Sequence, residues 1–175
     1  MANFTLSSGD YIRPRSAPWG ATEIRTVAES TGQSFRYGAL IENDLDASTA
    51  AGRAALATVS GSTVTSTTII GIAAAPASSV VTTKIPYYPA NPNTQFWGRT
   101  IRGVLDSSCV FKAYGLAYDS TLQIFLVDLG NAASTSERVI VTELIDAVGD
   151  SGGAVSFVFG HYNSTLMCFH GQGRS

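Results

Sequence analysis

The most suggestive chemistry in the chain lies in Gly149-Asp150-Ser151-Gly152-Gly153, a serine hydroxyl set between glycines beside a carboxylate. A serine becomes a nucleophile only with a base in hydrogen-bond reach, usually a histidine that a carboxylate orients. The chain has two histidines, His161 and His170, and both follow the serine. Two pairs of acids, Asp44 with Asp46 and Asp146 with Asp150, have the residue types of a glycosidase acid and base. Glu42, Asp44 and Asp46 offer calcium oxygens but lack the Asp-x-Asp-x-Asp-Gly spacing of such a loop. Asp is common in turns, and the turn reading takes precedence for each of these groups.

Gly-Asp-Ser-Gly-Gly is also the spelling around the nucleophile of chymotrypsin-like proteases. There both partners precede the serine, and here no histidine does. Residues 146–153 therefore read as a turn between two apolar runs, with Gly and Asp supplying positive φ angles. No catalytic residue is assigned, and the chain reads as a non-enzyme. A zinc site needs about four ligands, and the sequence holds no Cys-x-x-Cys. No glycine-rich phosphate loop leads into either lysine, Lys84 or Lys112. No metal, cofactor or small-molecule substrate is expected. Cys109 and Cys168 both sit in apolar runs and read as small buried residues, with one bridge between them as the alternative.

The composition narrows the partners. The 175 residues fit one domain or two small ones. Charged residues are 14% of the chain, well below the usual quarter, a shortage that suits either solvent-facing sheet covered by Ser, Thr and Gly or faces buried in an assembly. The net charge of −2 gives no whole-chain case for a nucleic-acid partner. No run of about 18 apolar residues predicts a membrane span. The first residues lack a basic stretch followed by an apolar one, so no secretory signal is expected and synthesis is placed in a reducing cytosol.

The elements that must position any site are strands. Residues 1–20 read as an extended arm, because Pro14 and Pro18 favour extended backbone. The arm carries Tyr11, Ile12, Arg13, Arg15 and Trp19. It is either a strap over its own domain or an anchor on a partner, with the arginines as hydrogen-bond forks. Strands are expected over 23–28, 33–41 (with a bulge at Gly38), 67–73 and 80–88, where Pro86 marks an edge. The alanine-rich segment 47–58 is the one helix candidate, with an exposed loop as the alternative. After a turn at Asn91-Pro92-Asn93, further strands are expected over 95–101, 109–116, 122–128, 138–145, 154–159 and 165–169. No fixed-period repeat is visible. The expected fold is all-β, a β-barrel, β-tulip or sandwich with little helix. A first lobe spans 21–90 and a second 91–175, or the two form one continuous domain. Tyr87, Tyr88, Phe96 and Trp97 place aromatics near a predicted edge or turn, where core packing, a sugar platform and a subunit interface all use such residues.

Several segments together resemble the head decoration, or cement, proteins of tailed bacteriophages. Gly32-Gln33-Ser34-Phe35-Arg36-Tyr37-Gly38-Ala39-Leu40-Ile41-Glu42 is similar to a strand pair of that group, and Ile69-Ile70-Gly71-Ile72-Ala73 to its next strand. Residues 80–96 resemble the strand and turn that follow, and Val127-Asp128 through Phe159 the closing strands. The resemblance implies a β-barrel or β-tulip without catalytic residues, often a homo-trimer, on the outer capsid surface of the virion. It implies the major capsid protein as partner and no nucleic acid or membrane. The arm residues Tyr11, Ile12, Arg13, Arg15 and Trp19 are then expected to touch the capsid, and Tyr87, Tyr88, Phe96 and Trp97 to form a subunit interface. Removing residues 1–19 is expected to leave folding intact. The alternatives are a phage tail or baseplate module and a carbohydrate-binding β module using Trp97, Tyr87 and Tyr88.

Overall fold

The computed structural model of the chain describes residues 4–15, 23–45, 52–131 and 139–160. Its strands are β1 (Arg13–Pro14), β2 (Arg25–Ala28), β3 (Leu40–Asp44), β4 (Arg53–Leu56), β5 (Val59–Ser60), β6 (Thr63–Val64) and β7 (Ile69–Ala73). They continue as β8 (Lys84–Pro89), β9 (Phe96–Ile101), β10 (Ala113–Asp119), β11 (Ile124–Asp128), β12 (Val139–Leu144) and β13 (Ala154–Phe159). The fold is all-β; the only helical element among the described residues is one 3-10 turn, Ser107–Cys109.

The last five strands close on themselves in the order β9-β13-β12-β10-β11 and back to β9. Every neighbouring pair is antiparallel except β11 with β9, which closes the barrel in parallel register. Alternation along β9 sends Phe96, Gly98 and Thr100 inward and Trp97, Arg99 and Ile101 outward. Phe96 stacks on Phe157 and meets Phe159 edge-on inside the barrel. Gly98 is required there: a Cβ would stand 2.9 Å from the Phe157 ring. β11 is buried along its whole length, as an apolar run covered on both faces must be. Strands β2, β8, β7, β3 and β4 form a second, antiparallel sheet, and one contiguous core joins it to the barrel. The β5–β6 hairpin extends the barrel wall from β10.

The two five-stranded sets share one topology. Arg25, Leu40, Arg53, Ile69 and Lys84 open the strands of the first; Phe96, Ala113, Ile124, Val139 and Ala154 open those of the second, 70 to 73 residues later in every case. In chain order both sets pair first-fifth-fourth-second-third. Third returns to first in parallel in both, through Glu29 opposite Ala54 in the first set and the β11–β9 ladder in the second. Fine detail repeats as well. Gly38 at φ 79 donates its N–H to Ala73, and Phe111 at φ 63 donates to Val141. Glu29 N–H reaches Thr83 O as Thr100 N–H reaches Gly153 O. The chain is thus a tandem repeat of one β unit. Sequence inspection misses it because the repeat conserves backbone geometry while the residues filling it differ.

Other expectations need correction. Residues 53–56, inside the helix candidate, are strand β4. Ala54 is fully buried opposite Asn43, where a small side chain fits and sheet pairing overrides alanine's helix propensity. The strand expected from residue 33 begins only at Leu40. Gly38 makes a turn rather than a bulge, and the register shift falls at Ile41/Glu42 instead. Pro86 is not at an edge, since β8 lies between β2 and β7. Its carbonyl accepts from Ala74 N–H just past the last β7–β8 pair, so its missing donor falls where that ladder ends. Residues 109–112 turn rather than extend, with Asp106 capping the 3-10 turn through Ser108 N–H at 2.7 Å. Cys109 is a free, buried thiol. Cys168, Trp19, Asp46, both histidines and the expected strand 165–169 lie outside the described residues.

Candidate interaction face

The outward side chains of β9 meet those of the arm. β1 pairs antiparallel with β9, placing Arg13 opposite Trp97 and Pro14 opposite Phe96. Arg15 N–H extends the pairing to Gln95 O at 3.0 Å. Arg13 lays its guanidinium over the indole, 4.2 Å from the ring centroid. Arg99 stands 5.6 Å from the same ring and 4.4 Å from the ring of Phe4. Two cations against one indole and one against a phenyl ring fix the face by cation–π attraction.

Carboxylates hold Arg99 and Arg15. Arg99 donates through Nε to Asp10 at 3.1 Å and through Nη1 to Asp146 at 2.8 Å. Asp146 also accepts from Ala154 N–H, which ties the guanidinium to the barrel backbone. Burial pulls the Asp10 carboxyl upward, but the Ser7 N–H, Arg99 and the Ser7 hydroxyl outweigh it and hold the group below its ordinary value. Arg15 pairs with Glu143 and donates to the buried Ser156 hydroxyl at 2.8 Å. At the other end Tyr11 meets Tyr37 edge-on at 5.0 Å. The Tyr37 phenol is pushed up to about 12 by burial, then by its hydrogen bond to Tyr88.

The structure thus brings Tyr11, Arg13, Arg15, Trp97 and, through Tyr37, Tyr88 onto one face. It withdraws two expected contact residues. Ile12 points the other way from Arg13 and is fully buried in the core, within contact distance of where a Cβ on Gly98 would lie. Phe96 is fully buried inside the barrel and presents nothing to a second subunit. Tyr87 faces the other side of its sheet from Tyr88, opposite Arg25. The arm is a strap over its own domain as far as residue 15, and deleting it would open the core at Ile12, contrary to the expectation that folding is untouched. Sequence reasoning missed Phe4, Asp10 and Glu143, and singled out Asp146 only as an acid beside Asp150, not as a partner of Arg99. The available signal was period two: Tyr11, Arg13 and Arg15 share one side of an extended arm, as Trp97 and Arg99 share one side of β9.

Gly149-Asp150-Ser151-Gly152-Gly153 is the connection between β12 and β13. Gly149 and Gly152 hold φ 94 and 70, which supports the turn reading for the glycines though not for Asp150. Ser151 bridges Val104, and its carbonyl accepts from Phe4 N–H at 3.2 Å. The equivalent loop of the first unit holds positive φ at Ser79 and Thr82, so the spelling meets a backbone requirement that recurs without the motif. The other acids are engaged: Asp44 accepts from Ser30 and Glu42 from Thr58. Among the described residues no three His, Cys, Asp or Glu side chains are grouped as a metal would need. No family model, curated protein or solved structure matches the chain.

Proposed function

We propose that this chain is a non-enzymatic virion structural protein that binds the outer surface of a tailed-phage capsid and stabilises it. The observation that carries the reading is the convergence of arm and barrel on one preorganised face, where Arg13 lies over Trp97, Tyr11 packs on Tyr37 and Arg15 pairs with Glu143. Trp, Tyr and Arg dominate protein–protein hot spots, and side chains already ordered lose little entropy on docking. Arg13 covers the indole face that a pyranose would stack on, which favours a protein partner over a carbohydrate. The partner in this reading is the major capsid protein. A homo-trimer would multiply each contact through effective concentration.

The test is the copy number of the chain in purified particles, by quantitative mass spectrometry against the major shell protein. A number comparable to the shell protein supports lattice-wide decoration. A few copies would move the chain to a tail or baseplate site, and absence would overturn the virion reading. With particles in hand, Arg13→Glu and Trp97→Ala should each weaken shell binding by roughly tenfold or more, the usual loss at a hot spot. Unchanged binding of both would remove this face from the contact.

A further inference from the structure

The repeat shows a strand slot that is filled in one unit and, among the described residues, open in the other. In the second unit β11 covers β9 only near Thr100 and Ile101, and the arm covers the remainder of that edge at Phe96 and Trp97. The equivalent edge of the first unit belongs to β2, where Ile24 and Thr26 stand at the positions of Gln95 and Trp97. β4 reaches that side only past the end of β2, through Glu29 opposite Ala54 and Ser30 N–H to Ala54 O at 2.9 Å. Along residues 24–26 no described strand pairs on that side.

Backbone direction confirms that the edge is presented. Pro86 turns its carbonyl toward β7, onto Ala74 N–H. In a strand the N–H and C=O of one residue point the same way, and directly opposed residues either both face each other or both face away. Thr26 is opposed to Pro86, so its N–H and C=O face away from β8 toward the open edge, and Ile24 does the same. Ile24 is also one of the most exposed large aliphatic side chains, at 57%, between Glu23 and Arg25, which pair with each other at 2.7 Å.

We infer that the β2 edge takes an extended strand of the shell protein by β-augmentation, as β9 takes the arm. The assignment rests on the capsid reading above for the identity of the partner. A second copy is not the donor from its described arm, because residues 4–15 are already committed to β9 with Ile12 buried. The incoming strand should set a β-branched or aromatic residue against Ile24, and charges complementary to Glu23 and Arg25 beside it. Thr26→Pro isolates the effect, because it removes a donor that faces away from β8 and that no described residue accepts.

The experiment uses full-length protein and particles stripped of it. Amide exchange is followed at Ile24 and Thr26, and shell binding is compared for wild type and Thr26→Pro. Both amides should exchange quickly in the free protein and slow by about 100-fold or more on the shell, as ladder hydrogen bonds form. Thr26→Pro should keep the wild-type melting temperature and lose shell affinity by about tenfold or more. Wild type that binds the shell with both amides still exchanging quickly, or Thr26→Pro that binds as wild type, overturns the inference while the capsid reading stands. Protection appearing in concentrated free protein would name a second copy and overturn the shell strand. A wild type that does not bind at all overturns the capsid reading and this donor together.

Discussion

The two units solve one turn in opposite ways. In the second, residues 148–153 put glycine at both positive-φ positions, Gly149 and Gly152, where no Cβ opposes the backbone. In the first, the same positions are Ser79 at φ 63 and Thr82 at φ 72, a conformation that costs non-glycine residues on the order of 1–3 kcal/mol each. That strain is held by a side chain the other unit lacks. Glu29 is completely buried, and its carboxylate accepts from Ser78 N–H at 2.9 Å, Ser78 Oγ at 2.6 Å and Ser79 N–H at 2.8 Å. At the equivalent position Thr100 only donates its hydroxyl to Gly153 O. Closure differs in the same sense. The second unit closes with a β11–β9 ladder backed by the ion pair of Arg102 with the buried Asp128, and the first with a bridge at Glu29 and Ala54. The loop and the closure of the first unit therefore both run through Glu29, whereas the second divides them between its glycines and the β11–β9 ladder.

The sharpest way to break that comparison is Glu29→Ala. Three donors lose their acceptor at once, so a loss of about 3 kcal/mol is expected in urea unfolding at neutral pH. Less than about 1 kcal/mol would show that the loop holds its shape without the clamp. Next in size is Gly38→Ala. A Cβ there meets Tyr11 Cβ at 2.7 Å and Ile12 O at 2.8 Å, on a backbone already at φ 79. A loss of about 2–3 kcal/mol is expected, with faster amide exchange at Ile12 as the arm loosens. At the equivalent Phe111 the side chain is 61% exposed, so trimming it to alanine should change stability by less than about 1 kcal/mol. Equal effects at the two sites would deny the packing difference between the units.

The same contrast governs what the sequence reveals. The barrel strands β11, β12 and β13 lie inside the expected runs to within two residues at each end, because largely apolar stretches such as Ala154-Val155-Ser156-Phe157-Val158-Phe159, polar only at Ser156, announce buried strands. The first unit is less legible. Ala54 and Ala55 pair in a sheet although alanine favours helix, and residues 80–83 look like a strand but form the clamped loop. Glu29, just past the expected strand 23–28, draws no reading from the sequence, and only long-range contact with Ser78 and Ser79 reveals it as a buried clamp. At the candidate face, residue types on the arm and on β9 were visible, but their meeting was not. Which strand an arm pairs with is set by tertiary register, and one step of register sends Ile12 out and Arg13 in.

Smaller effects than at Glu29 and Gly38 come from exchanging the two solutions. Gly152→Thr places a β-branched residue at φ 70, with its Cβ 3.4 Å from Phe4 O, and the position of Glu29 is held here by Thr100, which has no carboxylate. A loss of about 1–2 kcal/mol is expected. Thr82→Gly is the reverse graft. Thr82 is exposed and its N–H donates to Glu29 O, a bond that glycine keeps. Glycine relieves roughly 1–2 kcal/mol of left-handed strain and costs about 0.5–1 kcal/mol in chain entropy. The net expectation is a gain of about 0.5–1 kcal/mol, read as a higher urea midpoint with an unchanged slope. The gain should grow in a Glu29→Gln background, where the clamp is weakened and strain counts for more; residues sharing one network couple in this way. A Thr82→Gly variant that destabilises in both backgrounds would mean that the loop is shaped by its threonine, and that Glu29 does not compensate a strained turn.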